Sequence, residues 1–264
     1  MGKAAYCGVE GAYAHIASEI MLPSAQKIPF RTFSQAYRAA ETGECRYAVL
    51  PVENNCAGEV GAVMDLIFEG SLYINAMLEL PVNHALVALK SSSESLVRTV
   101  VSHPQALEQC AGFIARHGYE TRSFSNTAAA AQFVRDSADV SLAAIASKDT
   151  AGRFGLKILR EDINDISGNA TKFAALSKEN TSGRNGFILV FTVENEAGAL
   201  AQALDMIGSF GFNLRSIHSR PMKTLEWEYY FYAEAQGDIG SEKGREMLRA
   251  LSGKCRTLKT AGTY

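Results

Sequence analysis

Five consecutive residues, Asn169-Ala170-Thr171-Lys172-Phe173, bring an amide, a hydroxyl, a cation and an aromatic ring into one extended stretch. A hydroxyl can hydrogen-bond an oxygen as it leaves carbon, and a cation or an amide can hold a carboxylate. By β-propensity alone the same stretch is an ordinary edge strand, so chemistry needs partners from elsewhere in the chain. Upstream, Pro51-Val52-Glu53-Asn54 places a carboxylate and an amide directly after the apolar strand of residues 47–50. Ligands bind at the carboxyl ends of strands in open α/β sheets, which makes Glu53 and Asn54 candidates. Ser102-His103-Pro104 ends another strand and opens a helix carrying Gln109. Pro104 suits the first helical turn, which leaves Ser102 or His103 near the cap beside free backbone N–H groups. Asn126-Thr127 caps an alanine-rich helix, a role that capping alone explains. The turn Gly8-Val9-Glu10-Gly11 before a helix over residues 12–22 presents N–H groups to an anion, though a plain tight turn fits equally. Its glycines lack the Gly-x-Gly-x-x-Gly spacing, which argues against a dinucleotide cofactor.

These candidates need a scaffold that brings distant segments to one place. The 264 residues suffice for two domains, and 47% hydrophobic with 20% charged residues is ordinary for a globular chain. A net charge of −2 gives no electrostatic reason to expect nucleic acid or an anionic membrane as partner. No apolar run reaches the length of a membrane span, and the N-terminus lacks the form of a signal peptide. Cys7, Cys45, Cys56, Cys110 and Cys255 are odd in number and scattered, which points to a reducing, cytoplasmic setting rather than a disulfide framework. The five histidines show no metal-ligand spacing, so neither metal nor cofactor is expected. Strands and helices alternate twice, with two crossings, which predicts a two-lobed α/β domain over residues 1–181. One lobe takes residues 1–75 plus 155–181, the other 76–154, with a ligand cleft between them. The polar stretch Ser182-Gly183-Arg184-Asn185-Gly186 reads as a linker. Beyond it, residues 185–264 follow the βαββαβ order of a ferredoxin-like domain, whose sheet edge invites a second copy. Trp227, Tyr229 and Phe231 alternate along one of its strands, as a pocket wall or as core.

Assembled in order, these stretches resemble prephenate dehydratase with a C-terminal ACT regulatory domain. The likeness rests on Gly8-Val9-Glu10-Gly11-Ala12-Tyr13, Leu50-Pro51-Val52-Glu53-Asn54, Ser102-His103-Pro104-Gln105-Ala106-Leu107-Glu108-Gln109-Cys110, Asn126-Thr127-Ala128, Ala143-Ala144-Ile145-Ala146-Ser147 and Asn169-Ala170-Thr171-Lys172-Phe173. It departs from the family where Lys172 replaces an arginine, Ala14 a serine and His218 an acidic residue. The resemblance implies a periplasmic-binding-protein-like catalytic domain and loss of carbon dioxide and water from prephenate. It implies Thr171, Glu53, Asn54, Gln109 and Ser102 in catalysis. Gly11, Ala12, Tyr13, His103, Asn126, Thr127, Lys172 and Phe173 would bind the substrate. In the last domain Gly198-Ala199-Leu200, Asn213, His218 and Ser219-Arg220-Pro221 would hold L-phenylalanine, in a homodimer or homotetramer. Arogenate dehydratase, or a non-catalytic amino-acid sensor, are the alternatives on this fold.

Overall fold

The computed structural model describes residues 2–181, 185–223 and 225–264. Of the expected linker, Ser182, Gly183 and Arg184 lie outside the described residues. The chain opens with β1 (Lys3–Cys7), α1 (Tyr13–Met21), β2 (Gln26–Phe30), α2 (Phe33–Thr42), β3 (Tyr47–Asn54), β4 (Gly58–Glu59), α3 (Gly61–Glu69) and β5 (Tyr73–Pro81). It crosses into β6 (Ala85–Ala88), β7 (Thr99–Ser102), α4 (Pro104–Gln109), α5 (Ala111–His117), β8 (Glu120–Ser123), α6 (Thr127–Ser137), β9 (Leu142–Ala146), α7 (Lys148–Phe154) and β10 (Lys157–Arg160). It returns through β11 (Ala170–Ser177) and ends in β12 (Gly186–Thr192), α8 (Ala199–Ser209), β13 (Asn213–Pro221), β14 (Tyr229–Gln236), α9 (Glu242–Ser252) and β15 (Thr257–Thr263).

The first lobe is built on parallel β2-β1-β3, extended by antiparallel β11 and then β5. The second lobe is the sheet β10-β6-β9-β7-β8. Uninterrupted apolar runs such as Ala4-Ala5-Tyr6 and Ala143-Ala144-Ile145 are covered on both faces, as expected of sheets packed between helices. The last elements form the order β13-β14-β12-β15, all antiparallel, which is the ferredoxin-like arrangement.

Three expected boundaries shift. The strand of residues 47–50 runs on through Pro51 to Asn54, because the ladder changes register beside Pro51, where an N–H is missing anyway. Residues 157–160, expected to return to the first lobe, instead form the edge strand β10 of the second sheet. The first crossing falls after Pro81 rather than near residue 75.

The C-terminal unit is fused to the first lobe rather than strung from it. Ile188, Val190, Tyr230, Tyr232 and Ala261 share one hydrophobic core with Val63, Met64, Ile67 and Leu72. Phe68 and Tyr230 stack with ring centroids 4.2 Å apart. Lys259 Nζ donates to Ile67 O at 2.7 Å and to Gly70 O, neutralising the carbonyl end of α3. β15 meets β5 at Gly262, where an added Cβ would lie 2.1 Å from Ile74 O. Gly262→Ala should therefore pry this seam apart and lower stability by about 1–3 kcal/mol, measured by thermal unfolding.

Candidate active site

A cavity of ≈ 770 Å³ opens between the lobes. Its walls come from the carboxyl ends of parallel strands: Gly8 and Val9 after β1, Arg31 after β2, Asn54 closing β3, His103 after β7, and Asn126 after β8. The starts of α1, α4 and α6 thus face one space. Ala12 begins α1 without any side-chain cap, which leaves first-turn N–H groups for a ligand. Asn126 caps α6 by accepting from Ala129 N at 2.7 Å.

A directed chain of amides runs along the base of the cavity. Cys56 N and Ala57 N donate to Asn54 Oδ1 at 3.0 and 2.9 Å, so Nδ2 must point the other way. Asn54 Nδ2 donates to Asn169 Oδ1 at 2.8 Å, Ala170 O at 3.0 Å and Thr171 Oγ1 at 3.0 Å. Asn169 Nδ2 in turn donates to Gln109 Oε1 at 3.0 Å, and His84 Nε2 lies 2.9 Å from the same oxygen. A carbonyl oxygen only accepts, so His84 carries its proton on Nε2. Burial lowers the His84 pKa, against the hydrogen bond to Gln109, which keeps the ring neutral near pH 7.

Two consequences follow for chemistry. Thr171 Oγ accepts from Asn54, which leaves the hydroxyl hydrogen to donate into the cavity that Thr171 lines. Gln109 Oε1 is already used by two donors, which leaves its Nε2 hydrogens for a ligand. Hydrogen bonds in such a chain polarise one another, so the Thr171 hydroxyl is a better donor than a free one.

Of the residues singled out from sequence, Thr171, Asn54, Gln109, Ala12, Tyr13, His103, Asn126, Thr127 and Phe173 all line this cavity. Four do not. Ser102 is buried and spends its hydroxyl on Ile145 O at 2.7 Å, locking β7 to β9. Gly11 gives its N–H to His15 Nδ1 at 3.3 Å, while its carbonyl accepts from Thr150 Oγ1 at 2.8 Å. Glu53 and Lys172 face the opposite side of the sheet, where Lys172 Nζ lies 3.3 Å from Glu53 Oε2 and 2.8 Å from Glu234 Oε2. The reason is strand alternation: if Asn54 and Thr171 point into the cleft, their neighbours cannot. Glu53 is therefore not the acid, and Lys172 not the carboxylate ligand.

Arg31 and His84 complete the site and were missed as functional residues; Asn169, the amide of the opening stretch, joins them as the link between Asn54 and Gln109. Arg31 is the cation among the described residues that line the cavity. It follows a short strand, β2, that contains Pro29 and that the hydrophobic pattern does not reveal; the cap Thr32, which accepts from Gln35 N, was the available signal. Arg31→Gln should raise KM for an anionic substrate about tenfold with little change in kcat, a split that steady-state kinetics reads directly. The described residues hold no cluster of His, Cys, Asp or Glu suited to a metal ion. No described helix is long and apolar enough to cross a membrane.

The family model for prephenate dehydratase matches residues 4–181. The chain belongs to the prephenate dehydratase family. Arogenate dehydratase/prephenate dehydratase 2 of Arabidopsis thaliana is 32% identical over 275 residues, covering 99% of this chain and 72% of that relative. The solved structure of a prephenate dehydratase from Arthrobacter aurescens in complex with L-Phe superposes with a TM-score of 0.89 at 27% identity, covering 98% of this chain and 89% of that one. A solved structure described as GqqA, a novel type of quorum-quenching acylase, also gives 0.89, at 28% identity over 98% of this chain and 96% of that one.

As a prephenate dehydratase family member, the chain places its expected effector residues on two sides of the C-terminal sheet. Gly198 precedes α8 and Asn213 opens β13 at the sheet edge. His218 and Arg220 turn toward the catalytic lobe instead. His218 lies 3.6 Å from Glu53, and Arg220 reaches Asp65 at 3.3 Å. Trp227 stands before β14, 80% exposed with φ 58°, and so belongs to neither the core nor a strand-face wall.

Proposed function

We propose that the chain converts prephenate to phenylpyruvate, releasing carbon dioxide from the ring carboxylate and water from the ring hydroxyl. The observation that carries this is the oriented Thr171 hydroxyl inside the cavity. Aromatisation drives the reaction, so the catalytic task is to hold the dianion and stabilise the oxygen as its bond to carbon breaks. Thr171 hydrogen-bonds to that oxygen while keeping its own proton, being too weak an acid to give it up, and the departing hydroxide takes a proton from solvent to become water. Asn54 orients Thr171. Arg31, the N–H groups opening α1 and α6, and Gln109 Nε2 take the carboxylates and keto oxygen. Phe173, 2% exposed at the cavity wall, flanks the ring.

The C-terminal unit acts in this proposal as an ACT regulatory module that binds L-phenylalanine between two copies. Its βαββαβ order and the open edge of β13 support that reading. Asn213, Ser219 and Pro221, exposed along β13, together with the opening of α8 at Gly198-Ala199-Leu200, would contribute to such a site. The Arthrobacter aurescens relative crystallised with L-Phe favours the same effector.

Absorbance of phenylpyruvate formed from prephenate at neutral pH, with and without phenylalanine, tests both parts. No turnover rejects the enzyme. Turnover and melting temperature both indifferent to phenylalanine reject the regulation. Running arogenate in parallel, and comparing kcat/KM, decides between the two ring substrates.

A further inference from the structure

A second polar assembly lies behind the catalytic pair. Thr171 and Lys172 leave opposite faces of β11, and their register partners Asn54 and Glu53 leave opposite faces of β3. On the rear face Lys172 Nζ sits between Glu53 Oε2 and Glu234 Oε2. Glu234 comes from β14 of the C-terminal unit, and its side chain is 4% exposed. Its other oxygen accepts from Tyr264 OH at 2.5 Å, with Arg215 Nη1 at 3.9 Å. Burial lowers the Lys172 pKa, but the hydrogen bond and charge of Glu234, helped by Glu53, outweigh it and raise the value overall. Lys172 is thus a cation spanning two structural units.

The strand that it holds needs holding. The β3–β11 register breaks between Lys172 and Phe173, opposite Pro51, one residue past Thr171. A bulge loosens the ladder and lets local side chains re-aim. The seam beyond is also incompletely satisfied: Ser216 Oγ, His218 Nε2 and Tyr232 OH are buried without hydrogen-bond partners, all on strands β13 and β14. Unpaired buried groups of this kind contribute little to fixing the face, which leaves the ion pairs of Lys172 as its specific polar ties.

We propose that Lys172 is a positioning residue: clamped between Glu53 and Glu234, it fixes the Thr171–Asn54 pair and ties the catalytic hydroxyl to the placement of the C-terminal unit. This rests on the role of Thr171 proposed above. It gives the C-terminal unit a direct hold on turnover, through one ion pair instead of through cleft closure.

A double-mutant cycle on the full chain tests it, with kcat and KM for prephenate and amide hydrogen exchange of residues 169–174 as readouts. Lys172→Met should lower kcat roughly tenfold with KM within about twofold, and Glu234→Gln should lower kcat roughly threefold. The double variant should be no slower than Lys172→Met within about twofold, because the Lys172–Glu234 pair that Glu234→Gln breaks is already gone once Lys172 is methionine. Lys172→Arg should restore most of the loss. Arg256→Gln, which breaks an exposed pair with Glu194 in the same unit, should change none of these readouts. A KM raised about tenfold in Lys172→Met, with Glu234→Gln silent, would show Lys172 binding substrate and overturn the proposal. Fully multiplicative losses in the double variant overturn it as well. If the parent chain does not turn over prephenate, the proposed function falls and exchange alone decides. Glu234→Gln must then speed exchange of the amides at 170–173, and unchanged protection rejects the coupling.

Discussion

Replacing Thr171 by valine should lower kcat by about a hundredfold while leaving KM within a few-fold of the parent. Valine keeps the β-branched shape that β11 accommodates, so the strand and the Phe173 wall stay in place. Only the hydroxyl disappears. Asn54 Nδ2 retains Asn169 Oδ1 and Ala170 O as acceptors, so the amide chain survives the change. What is lost is the donor to the departing oxygen, a contact that strengthens as charge develops and so acts on kcat. A hundredfold loss corresponds to about 2.7 kcal/mol, the lower end for removing one donor of this kind. Thr171→Ser should keep most of the activity. Valine-variant turnover within a few-fold of the parent would remove Thr171 from the chemistry.

The largest stability effect is expected at Asp65, which pins the C-terminal unit to α3. Its buried carboxylate accepts from Tyr230 OH at 2.6 Å and pairs with Arg220 at 3.3 Å and Lys223 at 2.9 Å. Asp65→Asn removes the charge and leaves the partly buried Arg220 with only Glu59, 3.8 Å away, as a carboxylate partner. Breaking a buried pair from one side costs about 3–5 kcal/mol, and solvent reaching Arg220 and Lys223 places this case near about 3 kcal/mol. Urea unfolding at pH 7 measures it. The pH dependence has a definite sign. Burial pushes the Asp65 pKa up, but Tyr230, Lys223 and Arg220 more than reverse this and hold it below the ordinary 3.8. A depressed pKa means stability that is present above the unfolded value and lost as pH falls through the folded one. The gap between parent and Asp65→Asn should therefore begin to narrow as pH falls below about 4. A gap that does not narrow on acidification contradicts the assignment.

Much of the catalytic fold was legible in advance because its signals are local. Apolar runs at strand spacing, glycine turns and Ser, Thr or Asn caps mark β1, β3, β7, β9 and the starts of α2 and α6, each from a few adjacent residues. β2 was obscured by Pro29 and its half-exposed edge position, and Arg31 was lost with it. β10 was assigned to the wrong lobe because strand propensity says that Lys157-Ile158-Leu159 is extended but not which sheet it joins. The same limit applied to His84, an unremarkable residue after a crossing whose value lies in a single contact with Gln109, 25 positions away.

Glu53 and Lys172 show where reasoning from sequence alone ends. Each stands beside a residue of the cavity; residue chemistry, a place at a strand end and the family resemblance nominated them. Side chains alternate along a strand with period two, so adjacent residues of a motif cannot share a face. Which of each pair enters the cleft depends on the register of β3 against β11, with its break beside Pro51, and on the C-terminal sheet packing behind them. The amino-acid order by itself determined that there would be strands ending in polar turns, helices opening at those turns, and a βαββαβ unit to follow. Only the tertiary structure decided that Thr171, Asn54 and Gln109 meet while Lys172 turns to Glu234. Those outcomes are set by contacts between segments more than fifty residues apart, to which local propensity is blind.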